Sequence, residues 1–173
     1  MISATLVFLL AMQSQGLPPD WELKPKAEKV AGDVARLRPL LERLQPAAWV
    51  AAGAPQAYER QWRDCLDGIA HVQDAAGRLA VQPSRLSLTV ETLVRLEALL
   101  EHAGSLAQAV RRYQNPAVAE VLESETAAAG ASRAWLREHA QELATLREQQ
   151  LIAAETEAQR CRVELHRPGA RKP

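Results

Sequence analysis

The chain has 173 residues, of which 47% are hydrophobic and 24% charged, a composition typical of globular rather than disordered proteins. It has 21 Lys and Arg residues against 21 Asp and Glu, and this balance argues against a general nucleic-acid binder, which needs a basic excess. Aromatic residues make up only 4%, so the core has to be built from Leu, Val and Ala, a mixture that favours helices.

The N-terminus begins with an apolar segment, residues 2–12 (ISATLVFLLAM). As a helix it would reach about 16 Å, too short to span a bilayer but typical of a signal peptide. Ser14 and Gly16 supply the small residues expected before a cleavage site after Gly16. We therefore expect a signal peptide at 1–16, a secreted or periplasmic protein, and no transmembrane span after cleavage. Because no Lys or Arg precedes Lys24, an uncleaved N-terminal anchor and a buried N-terminal helix remain alternatives.

The first helix is predicted to begin at Lys26, after an extended linker over residues 17–25. From there, apolar residues recur at alternating steps of four and three, which places them on one helix face. They are Val30, Val34, Leu37, Leu41 and Leu44. Pro39 should split this helix near Arg38, because proline removes a backbone donor and obstructs the preceding turn.

Residues 46–55 (PAAWVAAGAP) contain two prolines and a glycine and predict a turn or loop. Two helices with long heptad-like stripes follow it. The first stripe is Tyr58, Trp62, Cys65, Ile69, Val72, Ala76 and Leu79, and the second is Leu86, Val90, Leu93, Leu96, Leu100, Ala103, Ala107 and Val110. Between them, Ser84 can cap the second of these helices.

Asn115-Pro116 predicts the start of the last helical region, since Asn is a preferred N-cap and Pro a preferred first helical residue. Residues 126–132 lack large side chains, and we expect the chain to reverse near Gly130. The inward stripe then continues through Leu136, Leu143, Leu146, Ala154, Ala158, Cys161 and Leu165. The predicted fold is an all-α, up-and-down antiparallel bundle of four to five helices over residues 26–166, followed by a basic tail at 167–173.

The two cysteines, Cys65 and Cys161, both lie on predicted inward stripes. An even number of cysteines in an exported chain favours a disulfide, whereas the alternative is two small buried side chains. The bond requires the reversal near Gly130, because one unbroken helix would place Cys161 far from Cys65. We therefore predict both the reversal and the Cys65–Cys161 disulfide.

No residues are assigned to catalysis, cofactor binding or metal binding. Di-iron bundles use Glu-x-x-His, but none of the four histidines has Glu three residues earlier, so outward, solvated histidines are expected. They are His71, His102, His139 and His166. A Cys/His zinc site is disfavoured by spacing, and phosphate-loop, serine-hydrolase and haem motifs are absent from the sequence.

Trp21 and Trp49 lie near prolines, outside the predicted regular helices. They would either cap the ends of the bundle or form an exposed contact for a partner. The sequence thus predicts a non-enzymatic protein of the bacterial cell envelope, with a structural or protein-binding role and another envelope protein as its partner. The alternatives are a small-ligand or metal carrier with a pocket between helices and, less favoured, an enzyme with an unrecognised site.

Overall fold

The computed structural model describes residues 18–166, and the predicted signal peptide and basic tail lie outside this range. Six helices follow one another: α1 (Asp20–Ala35), α2 (Arg38–Leu41), α3 (Pro46–Ala51), α4 (Ala57–Val81), α5 (Leu86–Tyr113) and α6 (Pro116–Leu165). No strand occurs in this range, so the all-helical prediction is confirmed.

The four longest helices pack around a shared hydrophobic core. Helix α1 contacts α4, α4 contacts α5, α5 contacts α6, and α6 contacts α1, while α2 and α3 lie against α4. The buried side chains are mostly Leu, Val and Ala, as the composition predicts, and Trp49 is the only aromatic side chain among the fully buried ones in residues 18–166. Ala-rich faces let neighbouring helices approach closely.

Helix α1 begins at Asp20, so the extended linker predicted for residues 17–25 is already helical from that point. Asp20 and Glu22 lie in the first turn, where negative charge complements the helix dipole. The helix ends at Ala35 because the ring of Pro39 would collide with the carbonyl four residues earlier. Helix α2 then restarts at Arg38, which confirms the predicted split.

The segment predicted as a loop over residues 46–55 contains a short helix. Pro46 begins α3 at a position where its missing N–H costs nothing. Gly53 has a φ of 93°, a conformation that residues with a β-carbon adopt at a cost, and it reverses the chain before α4.

Helices α4 and α5 agree with their predicted stripes, with one difference in α5. Val90, predicted to face inward, is exposed, and Thr89 and Thr92 are buried instead. The Thr89 and Thr92 hydroxyls donate hydrogen bonds to the backbone carbonyls of Arg85 and Leu88, so their burial leaves no polar group unsatisfied.

Helix α6 is continuous from Pro116 to Leu165, so the reversal predicted near Gly130 is wrong. Its start is as predicted, with the Asn115 side chain accepting a hydrogen bond of 2.8 Å from the backbone N–H of Ala117. A glycine inside a helix costs only about 1 kcal/mol, and alanines flank Gly130 on both sides. The buried stripe passes the glycine without a change of phase: Leu122, Ala129, Ser132, Leu136, His139 and Leu143.

Candidate functional site

The two cysteines are free and lie in different environments. Cys65 is buried inside α4, and burial, reinforced by the charge of Asp64, raises the pKa of its thiol to about 12. Cys161 is exposed near the end of α6. The predicted Cys65–Cys161 disulfide is therefore not formed, because α6 continues away from α4 instead of turning back at Gly130.

The two tryptophans proposed as partner contacts also differ. Trp49 is only 1% exposed. Its ring meets Tyr58 edge to face at 6.4 Å, and its indole N–H donates a 3.1 Å hydrogen bond to the Gln114 side chain. Because it joins α3 to the end of α5 and presents no free surface, the prediction of a partner contact at Trp49 is wrong. Trp21 is 75% exposed, so its side chain remains accessible to a partner.

His139 is buried, which contradicts the prediction of an outward, solvated histidine. Its Nε2 lies 2.8 Å from the carbonyl oxygen of Pro83, and because a carbonyl can only accept, Nε2 donates. The imidazole stacks on Trp135 at 5.4 Å between centroids. Nδ1 has no hydrogen-bond partner, the nearest carboxylate being Glu142 at 3.9 Å. His139 thereby fastens α6 to the α4–α5 connection.

Asp33 is a second buried polar residue that the sequence reading missed. Lys29, Arg36 and the Ser132 hydroxyl donate to its carboxylate, so α1 is tied to α6 through a buried charge. Burial alone would raise the pKa of Asp33, but these three donors outweigh it and hold the pKa below its ordinary value. Asp33 lies three residues after Val30, next to the inward stripe, and this position is the signal that could have revealed it.

A groove of about 790 Å³ runs between α5 and α6. Gly104 and Gly130 form part of its floor, and a β-carbon added at either position would meet open space. Charged side chains form much of the remaining lining, including Glu101, Arg133 and the Glu97–Arg137 ion pair, and the other lining residues are small or apolar. In residues 18–166, no three His, Cys, Asp or Glu side chains are grouped so that they could hold a metal ion.

The last part of α6 is the most unusual feature of the surface. Every residue from 147 to 165, here called the extension, is exposed, whereas the helical domain (residues 20–146) contains all the buried side chains of the described chain. The extension is about 28 Å long at the helical rise of 1.5 Å per residue. The prediction that Ala154, Ala158, Cys161 and Leu165 face inward is therefore wrong.

The lengths of the helices explain why no other helix of residues 18–166 covers the extension. Helix α5, the longest neighbour of α6, has 28 residues and spans about 42 Å, whereas α6 has 50 residues and spans about 75 Å. Comparing these two lengths in the sequence would have revealed the overhang.

Large apolar side chains nevertheless remain on the extension. Leu151 is 59% exposed and Leu165 is 84% exposed, and Ile152 and Val163 are also exposed. Exposed apolar residues are ordinary on protein surfaces when they occur singly, whereas large contiguous apolar patches are typical of interaction sites.

The extension leaves the helical domain at the end where Trp21 is exposed. Ser84, in the α4–α5 connection, donates a 2.9 Å hydrogen bond to Asp20, the neighbour of Trp21. The backbone carbonyl of the same Ser84 accepts a 3.5 Å hydrogen bond from the Arg147 guanidinium at the base of the extension. The structure therefore places Trp21, which is predicted to contact a partner, and the extension at the same end of the helical domain.

The chain matches no known protein family, no curated protein and no solved structure. Within residues 18–166, none of the helices combines the length and the apolar character needed to cross a membrane.

Proposed function

We propose that this chain is a non-enzymatic interaction protein of the bacterial cell envelope, in which the helical domain supports the extension and the extension binds another macromolecule. The observation that carries this proposal is the exposure of four large apolar side chains on the extension, which no part of the described chain covers. They are Leu151, Ile152, Val163 and Leu165. Burying apolar surface of this kind is worth about 25 cal/mol per Å², so a partner would gain affinity from it.

The four long helices are proposed to form an up-and-down antiparallel bundle that holds the extension at one end. Two contacts support this arrangement. The Asp20–Ser84 hydrogen bond joins the start of α1 to the α4–α5 connection. The Trp49–Gln114 hydrogen bond joins α3 to the end of α5. Each neighbouring pair around the ring then runs in opposite directions, as short connections require.

The envelope location is proposed from residues 2–12 and the small residues Ser14 and Gly16. Expressed in a bacterium with its full sequence, the mature protein should begin at Leu17, which intact-mass measurement will show. A mass that retains the first sixteen residues in a membrane fraction would support the anchored alternative instead.

Photocrosslinking tests the role of the extension. A photoreactive amino acid is placed at Leu151 or Leu165, with exposed His71 on α4 as the matched control, and the protein is irradiated in cells. Adducts of discrete mass from the two extension positions, and none from His71, are expected. Adducts from the control alone, or none from the extension at any expression level, would contradict the proposal.

A small-ligand carrier is the second candidate, and the groove between α5 and α6 is the observation that favours it. A ligand bound there should appear as an added mass in native mass spectrometry of the purified protein. Gly104→Leu would fill the groove while improving helix propensity, so it should remove the added mass without unfolding the chain. Protein that never shows an added mass would count against this candidate.

A further inference from the structure

The apolar residues of the extension form one stripe at regular spacing. Leu151, Ala154, Ala158, Cys161 and Leu165, here called the seam, follow one another at steps of three, four, three and four. This is the a/d pattern of a two-stranded coiled coil, in which a partner helix covers the stripe. All five residues are exposed in the described chain.

The seam begins beside the stripe that packs into the helical domain and converges on the line of that stripe along the helix. Leu151 lies about 80° around the helix from buried Leu143, whereas Cys161 follows Leu143 by 18 residues, which is five full turns. A helix that docks on the exposed seam does not compete with α1 or α5, because neither of them covers residues 151–165.

Small residues continue the seam back towards the helical domain. Ala144 and Ala140 occupy the preceding a and d positions and are half-buried. Arg147, the one large polar residue in the register, directs its guanidinium to the Gln150 side chain and the Ser84 carbonyl. The exposed apolar stripe from Leu151 to Leu165 thus spans about two heptads, and Ala140 and Ala144 continue its register on the other side of Arg147.

The charges beside the seam favour a second copy in parallel orientation. In a parallel pair each g residue meets the e residue five positions later on the other helix, so Glu157 meets Arg162 of the second copy, twice by symmetry. Within residues 18–166, Arg162 makes no ion pair, whereas Glu157 already pairs with Arg160 of its own helix at 3.3 Å, so the contact between copies would add a second cation beside Glu157. The other such pair along the extension, Gln150 with Glu155, contains no like charges.

An antiparallel pair is disfavoured by the same residues. There, g residues meet g residues and e residues meet e residues, which places glutamates opposite each other. Depending on the register, Glu157 faces Glu157 or Glu164 of the other copy, or Glu148 faces Glu155. In the first two of these registers Arg162 also meets Glu148 or Glu155, which only offsets the repulsion, whereas the parallel pair has no like charges at its e and g positions. Like charges at these positions oppose association and select orientation.

We propose that the extension forms a parallel homodimer along the seam, with Cys161 of each copy adjacent at a d position and Glu157–Arg162 pairs on both sides. This inference rests on the proposed function, since it names a second copy of the chain as the partner. Two leucines and otherwise small residues bury little apolar surface, so the dimer is reversible and concentration-dependent.

Two proteins that each have one accessible thiol test the orientation. Wild type has its accessible thiol at Cys161, and the variant C161A/A154C moves it one heptad back, while buried Cys65 does not react. Copper-catalysed oxidation with dioxygen joins two thiols as a disulfide, and dioxygen accepts the two electrons and two protons. A parallel dimer gives a disulfide-linked product from both proteins, whereas C161A/Q159C, with its thiol beside the seam, should give at least about fivefold less.

No antiparallel register gives this result. In an antiparallel dimer, each residue lies opposite its own copy only if it is at the centre of the overlap. Residues 154 and 161 are seven residues apart, so the axial distances between their respective copies add up to at least about 21 Å. A disulfide needs Cα atoms within about 7 Å, so at most one of the two proteins could be joined efficiently. Efficient joining of only one protein, or equal joining of both and the Q159C control, overturns the parallel dimer.

Sedimentation at increasing concentration tests the dimer without oxidation. Wild type should move from the monomer mass, which is 19.0 kDa for the uncleaved chain and correspondingly less after cleavage, towards twice that value. Leu151→Glu should raise the dissociation constant at least about tenfold, and Thr156→Glu, at an exposed position opposite the seam, should leave it within about twofold. Circular dichroism of both variants checks that the helical domain stays folded.

The photocrosslinking experiment separates failure of this inference from failure of the proposed function. Adducts at twice the chain mass support the dimer. Adducts of another mass, together with a sedimenting species that stays at the monomer mass up to the highest concentration, overturn the dimer but leave the extension as an interaction surface. A monomer with no adducts overturns both.

Discussion

The two parts of helix α6 have similar sequence patterns but different surroundings. From Pro116 to Leu146, apolar residues at steps of three and four are covered by α1 and α5. From residue 147 onwards, the same spacing continues with every residue exposed. Heptad spacing therefore shows that a helix has an apolar face, but whether that face is covered depends on how far the neighbouring helices reach.

The largest difference in the free energy of unfolding is expected when one leucine in each part of α6 is truncated to alanine. Leu136 is fully buried and Leu151 is mostly exposed. Leu136→Ala should lower the free energy of unfolding by about 2–5 kcal/mol, through lost burial and a residual cavity. Leu151→Ala should change it by less than about 0.5 kcal/mol, measured by urea denaturation of the monomer. Equal losses would show that the extension packs on the helical domain.

The second contrast concerns Asp33, whose buried carboxylate joins α1 to α6. Asp33→Asn removes charged hydrogen bonds to Lys29, Arg36 and Ser132, and should cost about 1.5–3 kcal/mol near neutral pH. Glu148→Asn, an acidic residue of the extension, is the matched control and should cost little.

The pH dependence of this contrast follows from the lowered pKa of Asp33. Because folding depresses that pKa, the stabilisation is fully present above the ordinary value of 3.8 and is lost as the pH falls below it through the folded-state value. The difference in Tm between wild type and Asp33→Asn should therefore narrow on strong acidification. A Tm difference that stays constant on acidification would show that the charge of the Asp33 carboxylate does not stabilise the fold.

The tryptophans give a smaller contrast. Trp49→Phe keeps most of the buried ring but loses the hydrogen bond to Gln114, and should cost about 0.5–1.5 kcal/mol. Trp21→Phe should have almost no effect on unfolding, because the ring is exposed. If Trp21→Phe proved the more destabilising of the two in thermal denaturation, the assignment of Trp21 as a free contact would fail.

Thiol reactivity should differ between the helical domain, which contains Cys65, and the extension, which contains Cys161. Measuring this difference requires no substitution. Under native conditions at mildly alkaline pH, a maleimide should label Cys161 and leave Cys65 unmodified, because burial hides that thiol and raises its pKa to about 12. Mass spectrometry should show one label in the native monomer and two after denaturation. Two labels in native protein, or none in denatured unreduced protein, would contradict the structure.

The sequence predicts well those features that depend on local chemistry. Asn115-Pro116 starts α6 through a side-chain cap, Pro39 splits the first helical region, and the stripe of α4 is recovered along its length. Each of these features is determined by residues within a few turns of one another, so propensity and periodicity are sufficient.

The features that were missed depend on partners distant in sequence. His139 is buried because its ring reaches the Pro83 carbonyl, and Trp49 is buried because Gln114 accepts its N–H. The exposed extension follows from the length of α5 and not from any residue within the extension itself. Local patterns contain no information about such contacts, and tertiary packing overrides them.

Amide hydrogen exchange along α6, at concentrations where the chain is monomeric, tests the central claim most directly. Protection should be high from about Ala119 to Leu143 and fall at least about a hundredfold beyond residue 147, because an isolated helical segment of this length is marginal in water. A single step near residue 147 is the predicted result. Uniform protection to Leu165, or a loss of protection at Gly130, would show that α6 is not divided between a packed helix and an exposed extension.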